Sequence, residues 1–215
     1  MGCGAVIRNR LKTLLDNFLP EFDVRISRAT RIGASPGRVY TSLWNTDFDY
    51  WGVTRALYAF RTLPSFPLAP LETWRRFRKE FGRKRFTLED LLADGFTLLA
   101  EQPNEELLLG TVGRFWLARG ELNATSPASF RELSPPGTAK AAWNFTVGPS
   151  SDGITELRTE TRVLCADLPT KRRFVAYWRL IKPFSGLIRN EMLTAVRTTA
   201  ESIELTNHQS ATTRL

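Results

Sequence analysis

The amino-acid sequence predicts an α+β domain in which a curved antiparallel sheet wraps around a long C-terminal helix. In residues 168–203, apolar residues recur at spacings of three and four, which is typical of a helix of about ten turns with one apolar stripe. In residues 96–165 the apolar period changes to two, which indicates strands. An apolar stripe of this length must be buried against a large surface, and a sheet formed by the strands can provide that surface. The stripe consists of Phe174, Tyr177, Trp178, Ile181, Phe184, Ile188, Met192, Ala195 and Thr199.

The chain of 215 residues is long enough to bury a sizeable core in one domain without disulfides or metals. We expect an N-terminal amphipathic helix in residues 1–20, the domain in residues 21–205 and a disordered tail in residues 206–215. Apolar residues make up 42% and charged residues 24%, and no apolar run approaches the roughly 18 residues of a membrane helix. The sequence therefore predicts a soluble protein.

Cysteine usage and the N-terminus favour a cytoplasmic location. Cys3 and Cys165 are far apart in the sequence, so we expect no structural disulfide. The first ten residues lack the apolar region of a secretory signal, and Val6 stands where a myristoylation site has Ser or Thr.

A formal net charge of +8 raises the question of an anionic partner. Much of the excess lies in one basic segment, residues 75–85, in which Glu80 is the only acidic residue. A solvated helix or loop face explains this segment most simply. Contact with an anionic membrane surface is the alternative, and we favour it over RNA or other nucleic acid. The cations of the basic segment are Arg75, Arg76, Arg78, Lys79, Arg83, Lys84 and Arg85.

The first third of the chain predicts one strand followed by two short helices. Residues 6–18 have helical apolar spacing, and residues 22–32 alternate as a half-buried first strand does. Ser35 is placed to cap the next helix, and a further helix is predicted in residues 49–61. An insertion rich in proline and basic residues then spans residues 63–90.

The middle of the chain predicts an antiparallel meander. Residues 96–101 and 105–116 indicate a hairpin, residues 129–133 a short edge strand, and residues 138–147 and 154–165 a second hairpin. Alternation in the last strand predicts that one face, rich in charge, meets solvent. That face carries Glu156, Arg158, Glu160 and Arg162.

This order of elements resembles the helix-grip fold of the START and Bet v 1-like (SRPBCC) superfamily, and more closely its poorly characterised bacterial members. Four runs carry the resemblance: ELLLGTVGRFW, AKAAWNF, ITELRTETRV and YWRLIKPFSGLIRNEML. The resemblance covers residues 22–204. It implies a cavity between a curved sheet and the C-terminal helix, in a superfamily whose members bind lipids, sterols, hormones or polyketides and include some cyclases.

Several kinds of catalytic site are excluded by composition. The only histidine, His208, lies in the predicted tail, so neither a Ser-His-Asp triad nor a histidine-ligated metal can be formed in the domain. No GxxxxGKS or GxGxxG run is present. Cys165 lacks a histidine to activate it, so we interpret it as a buried apolar residue. We predict no catalytic residue, metal or cofactor.

Two sets of residues could form a ligand site. Alternating charges on a strand usually form cross-strand ion pairs on a solvent-exposed face. Alternatively, Glu160 or Arg114 could lie at the mouth of a cavity and bind a carboxylate or hydroxyl group of a ligand. The apolar set could equally fill the core or line a pocket, and Pro183 and Gly186 could bend the helix beside it. The predicted lining is Trp116, Trp143, Phe145, Tyr177, Phe184 and Ile188.

Three functional hypotheses follow from these patterns. The first is binding of a hydrophobic small molecule or lipid between sheet and helix, without catalysis. The second is an enzyme like a polyketide cyclase or aromatase, with Glu160, Arg114 or Tyr177 as acid, base or orienting donor. The third is an interaction module that contacts anionic lipid or RNA through residues 75–85.

Overall fold

The computed structural model describes residues 12–48, 85–114, 116–117, 122–123, 125–132 and 135–212. The predicted helix in residues 49–61 and nearly all of the basic segment lie outside these residues, as does most of the proline-rich insertion. The helices are α1 (Leu14–Phe18), α2 (Pro36–Asn45), α3 (Leu88–Ala93), α4 (Pro127–Glu132) and α5 (Leu168–Thr212). The strands are β1 (Val24–Ile32), β2 (Thr97–Gln102), β3 (Glu106–Gly113), β4 (Leu122–Asn123), β5 (Ala139–Ser151) and β6 (Ile154–Cys165).

The α+β architecture predicted from the sequence is confirmed. All strand pairs are antiparallel, in the order β1-β6-β5-β3-β2, with the short β4 paired to β3. The curved sheet and the long C-terminal helix together form a helix-grip arrangement. No helix in the described part of the chain is both long and apolar enough to cross a membrane.

The short helices begin where the local sequence provides a cap. Thr13 and Asp16 form a capping box at α1, and Thr87 and Asp90 form a capping box at α3. Ser35 is the N-cap residue of α2, as expected, although its side chain makes no capping hydrogen bond there. Because α1 has only five residues, its position depends on packing against the sheet.

Two segments differ from the sequence prediction. Residues 129–133 were expected to form an edge strand, but residues up to Glu132 belong to α4, whose Phe130 is fully buried. One apolar anchor on a short segment suits a single helical turn as well as a strand. The chain beyond residue 205 was expected to be disordered, whereas α5 continues to Thr212, because no proline or glycine follows Gly186 to end it.

The sheet is covered on both faces. Its inner face packs against α2 and α5, with Phe145, Leu107 and Leu157 completely buried. Its outer face packs against α1 and α4, with Leu108 and Ala142 completely buried between them. The prediction of a solvent-exposed outer face is therefore wrong in the middle of β6. There Glu160 and Arg162 are buried, and Arg162 bonds Asp16 and Leu19 of the α1 segment, which packs on the neighbouring β5 and β3.

Candidate functional site

The buried core of the inner face is divided into two clusters. One surrounds Phe145 and reaches along α5 from Met192 to Ala200. The other surrounds Phe174 near the start of α5, with Val163 and Ala141 of the sheet. At the edge of the first cluster, the paired residues Leu109, Trp143, Thr161 and Ile26 form one row across four strands. We call the region where this row meets α5 the junction; Leu109 and Ile26 are buried there.

Other side chains at this junction are only half-buried. Trp143 and Thr161 on the sheet are intermediate in exposure, and so are Phe184 and Ile188 on α5. By contrast, Phe145, two residues beyond Trp143, and Phe174, ten residues before Phe184, are at most 1% exposed. We call Trp143, Thr161, Ile188 and Arg189 the inner site.

Trp143 presents its ring to the inner site while its polar atom is occupied. Its Nε1 donates a hydrogen bond of 2.6 Å to Thr159 Oγ1. Its ring packs against Phe145, with centroids 5.0 Å apart, and edge-on to Phe96 at 6.3 Å. A tryptophan whose N–H is satisfied by the sheet offers a ligand apolar surface only.

Arg189 is the charged group of the inner site. It lies on α5 and is 9% exposed. Nη2 donates to Thr161 Oγ1 at 2.6 Å, and Nη1 donates to Ser185 Oγ at 2.7 Å and to the Ser185 carbonyl at 3.1 Å. Nε is buried and has no acceptor in the described part of the chain.

The electrostatic surroundings of Arg189 are positive. Burial is the main reason that the pKa of Arg189 is lowered to about 10, and the nearby charge of Arg28 acts in the same direction. Arg28 lies against the neighbouring turn of α5, because a Cβ placed on Gly186 would be 3.3 Å from Arg28 Nη2. Two cations therefore face the junction between β1 and α5.

The predicted lining residues divide between the two clusters. Trp143, Phe145 and Ile188 belong to the cluster around Phe145. Trp116 and Tyr177 pack instead against Phe174, at the other end of the helix. Phe184 is half-buried on α5. The structure thus brings three of the six apolar candidates together and places two elsewhere.

The two predicted polar candidates do not face the inner site. Arg114 is exposed and donates from Nε to the Gly137 carbonyl at 3.2 Å. Glu160 is 1% exposed, but it pairs with Asn144 in the sheet and lies on the outer face. Strand alternation places Glu160 on the correct face, and the expectation of solvent there is wrong.

Glu160 belongs to a buried polar network that fastens α1. It accepts hydrogen bonds from Arg25 Nη2 at 2.6 Å and Arg162 Nε at 2.8 Å. Arg162 reaches onward to Asp16 Oδ1 at 2.6 Å and to the Leu19 carbonyl at 3.0 Å. Each ion in this network has charged or carbonyl partners, so the network needs no ligand to complete it.

The same network continues across the sheet to Glu106. Asn144 Nδ2 donates to Glu106 Oε1 at 2.6 Å, and the backbone N–H of Leu14 donates to Glu106 Oε2 at 2.8 Å. Both oxygens of a 4%-exposed carboxylate are therefore satisfied, one by the sheet and one by α1.

Cys165 has the character of a structural thiol. Burial, together with the negative charge of Asp23, raises its pKa to about 12, so almost no thiolate exists near neutral pH. Its free thiol packs beside the cluster around Phe174. Within the described residues, no group of three His, Cys, Asp or Glu side chains could hold a metal ion.

Arg189 is a functional candidate that the sequence argument does not identify. The inward-facing residues of α5 include Arg189, Met192, Leu193 and Val196, so Arg189 lies in the apolar stripe itself. In the sequence, Arg189 lies three, four and seven residues before Met192, Leu193 and Val196, which is the spacing of residues on one buried face of a helix. A stripe traced through apolar residues alone does not include it.

Comparisons with known proteins find distant structural similarity. No family model and no curated protein match the chain. Among solved structures, TTHA0849 from Thermus thermophilus is 10% identical, with a TM-score of 0.32, covering 84% of this chain and 99% of that protein. The di-domain ARO/CYC BexL from the BE-7585A biosynthetic pathway is 12% identical, with a TM-score of 0.32, covering 83% of this chain and 46% of that one. The present chain thus spans less than half of the di-domain protein.

Proposed function

We propose that this protein binds a hydrophobic small molecule or lipid between the inner face of its sheet and α5. The observation that supports the proposal is the division of the inner core into two clusters, with Trp143 and Ile188 only half-buried against the cluster around Phe145 and Phe184 half-buried on α5. Burying apolar area stabilises a complex by about 25 cal/mol per Å², so a ligand that covers these side chains gains affinity from them. No nucleophile or metal is required for such a role.

A neutral fluorescent probe tests this proposal directly. N-phenyl-1-naphthylamine carries no charge and brightens in apolar surroundings, so its titration reports apolar binding alone. We expect saturable binding, and we expect native mass spectrometry of gently purified protein to show a bound small molecule. Protein that neither binds the probe nor retains any ligand would contradict the proposal.

A pair of neighbouring variants locates the site. Ile188→Trp adds volume at a half-buried position of the inner site, whereas Leu187→Trp adds the same group at a position that is 54% exposed. We expect Ile188→Trp to weaken probe binding about tenfold, since the new indole occupies the space that the probe needs. Leu187→Trp serves as the matched control and should bind the probe like the natural protein.

The cyclase hypothesis receives no support from the placement of its candidate residues. Glu160 is on the outer face, Arg114 is exposed, and Tyr177 packs in the cluster around Phe174. A general acid or base must come within hydrogen-bond reach of the group on which it acts. Binding without catalysis is therefore the function that the geometry favours.

Membrane contact through the basic segment stays a separate prediction. Of its seven cations only Arg85 lies in the described part of the chain, where Nη2 donates to the Asn45 carbonyl at 3.1 Å. Sedimentation with vesicles of phosphatidylserine and phosphatidylcholine should show binding that weakens as salt rises. Binding that is absent at low salt, or that does not change with salt, would contradict it. The cytoplasmic location likewise stays a prediction.

A further inference from the structure

Arg189 is a buried cation whose hydrogen bonds all go to neutral oxygens. Its acceptors in the described part of the chain are the hydroxyl groups of Thr161 and Ser185 and the Ser185 carbonyl. It forms no ion pair with a carboxylate there, and the charge that acts on it is that of Arg28. A buried charge is normally paired with an opposite charge, because the loss of hydration is costly.

The buried arginine of the outer face and a carboxylate of the inner face have partners of their own. On the inner face, Glu101 accepts a hydrogen bond from the Tyr40 hydroxyl, at the other end of the sheet from Arg189. On the outer face, the buried Arg162 is paired with both Glu160 and Asp16. The fold thus supplies carboxylates to the buried arginine that fastens α1, and supplies none to Arg189 within the described residues.

We propose that Arg189 binds the anionic head of an amphipathic ligand, a carboxylate or a phosphate monoester, whose apolar part lies along Trp143 and Ile188. This inference rests on the proposed function and names its ligand class. Arg189 has five N–H groups, of which Thr161 and Ser185 engage three. The Nε N–H and one N–H of Nη2 remain, and Nε and Nη2 form one edge of the guanidinium, which matches the two oxygens of an oxyanion.

Arg28 contributes to the same site from its rim. It is exposed, it projects from the inner face of β1, and its guanidinium lies against α5 at Gly186, one turn before Arg189. A cation at the entrance attracts an anion from solution, and a second cation inside the site holds it. The apolar side chains next to Arg189 then favour an anion that carries a hydrocarbon part over a small inorganic one.

Displacement of the neutral probe distinguishes the ligand classes. N-phenyl-1-naphthylamine is bound first, and decanoate, decyl phosphate and 1-decanol are then titrated separately into the complex. The three competitors share one alkyl chain and differ in the head group. We expect decanoate or decyl phosphate to displace the probe at concentrations roughly tenfold to a hundredfold lower than 1-decanol, the range that a charged hydrogen-bonded pair provides. Whichever of the two anions binds more tightly identifies the head group.

Variants at position 189 test whether the arginine is responsible. Arg189→Met keeps most of the length of the side chain and removes the charge, so decanoate and 1-decanol should displace its bound probe at similar concentrations. Arg189→Lys keeps the positive charge but lacks the bidentate geometry of the guanidinium, so it should retain part of the preference for decanoate over 1-decanol. Arg179→Met, an exposed arginine on the same helix, is the matched control and should keep the full preference.

Each outcome decides between the two proposals. If probe and 1-decanol bind but the anions bind no better, the anionic head is wrong and the apolar site stands. If no competitor and no probe binds, the proposed function itself fails. Acetate or inorganic phosphate that binds as tightly as its decyl counterpart would overturn the amphipathic ligand class. A preference that survives in Arg189→Met would overturn the role of Arg189.

Discussion

Arg162 of β6 and Asp16 of α1 are joined by an ion pair of 2.6 Å, although 146 residues separate them in the chain. Arg162 is 4% exposed in its side chain and Asp16 is 26% exposed, so the pair lies at the edge of the region that α1 covers. Asp16 is also the third residue of α1 and completes its capping box. One carboxylate therefore both starts the helix and attaches it to the sheet.

The first prediction concerns acid stability. Burial alone would raise the pKa of Asp16, but hydrogen bonds from Thr13 and Arg162 outweigh it and lower the pKa from 3.8 to about 2. Because the folded protein has the lower pKa, the unfolded chain binds more protons in this range, and the stability that Asp16 provides is present above about pH 4 and lost as pH falls to 2. We expect the urea midpoint to fall across that interval.

Asp16→Asn provides the control for this titration. The amide cannot ionise, so the variant should be less stable than the natural protein near pH 7 and should lose less stability between about pH 4 and about pH 2. The two proteins should converge at the acid end. Parallel profiles for the two proteins would show that another carboxylate governs the acid transition.

The second prediction compares two glutamates on the same face of β6. Glu160 bonds Arg25 and Arg162 and is 1% exposed, whereas Glu156 bonds Arg158 at 2.9 Å in a pair that is nearly half exposed. Glu160→Gln weakens buried hydrogen bonds between charged groups, although Arg162 keeps Asp16 as a partner, and should cost about 1.5 to 3 kcal/mol, while an exposed pair contributes about 0 to 1 kcal/mol. Glu160→Gln should therefore destabilise the protein strongly and Glu156→Gln hardly at all.

Equilibrium urea unfolding measures both variants under one set of conditions. The midpoint should fall for Glu160→Gln with little change in the slope, since the fold is kept. Equal effects at the two positions would mean that Glu160 is not held in its buried pairs with Arg25 and Arg162 in solution.

These two glutamates also show where sequence reasoning ends. Both follow the same period-two pattern, and the period correctly places them on one face of β6. What separates them is burial: Glu160 bonds Arg25 and Arg162, and Arg162 bonds Asp16 of α1, which is distant in the chain. Periodicity carries no information about such contacts. The apolar residues of α1 indicate only that this helix packs on some surface of the protein. The contacts from Arg162 of β6 to Asp16 and Leu19 identify that surface as the outer face of the sheet.

The inner site is predictable in part for a similar reason. Trp143 and Phe145 fall on the inner face by alternation, and Ile188 falls on the stripe of α5, so their meeting follows from local pattern and fold class together. The prediction adds Tyr177 and Trp116 to the same site because they are aromatic. They lie in another cluster because α5 is long enough to span both ends of the sheet.

The third prediction concerns Gly110, in the middle of β3. A bulge in β2 between Leu98 and Ala100 places the side chain of Leu99 over this glycine. A Cβ at position 110 would overlap Leu99 Cδ1 and would lie 3.0 Å from Phe130 Cε2. Gly110→Ala should cost about 1 to 3 kcal/mol, because overpacking forces neighbouring side chains to move.

Gly148→Ala is the matched control, in the adjacent strand β5. There the nearest atom to a new Cβ is the Glu156 carbonyl oxygen at 3.4 Å, so we expect no loss beyond about 0.5 kcal/mol. Thermal unfolding followed by circular dichroism compares the two alanines. A Gly110→Ala variant as stable as the natural protein would show that Leu99 does not lie over β3.

The last prediction is that removal of Arg189 stabilises the free protein. The lowered pKa of about 10 means that the folded state disfavours the charged guanidinium relative to the unfolded chain. For a cation with a depressed folded-state pKa, this destabilisation is fully present below about pH 10 and is relieved as pH rises through it. At neutral pH, Arg189→Met should therefore raise the free energy of unfolding by about 1 to 3 kcal/mol, as replacement of other buried ions by apolar residues does.

The control for this effect is again Arg179→Met, whose side chain is exposed and whose loss should change stability by less than about 0.5 kcal/mol. Both variants and the natural protein are unfolded in urea after removal of bound ligand. A destabilised Arg189→Met would mean that the bonds to Thr161 and Ser185 outweigh the cost of burial, and that Arg189 is retained for structure. A stabilised variant that has lost its preference for anionic ligands would show that the fold gives up stability at this position in order to bind them.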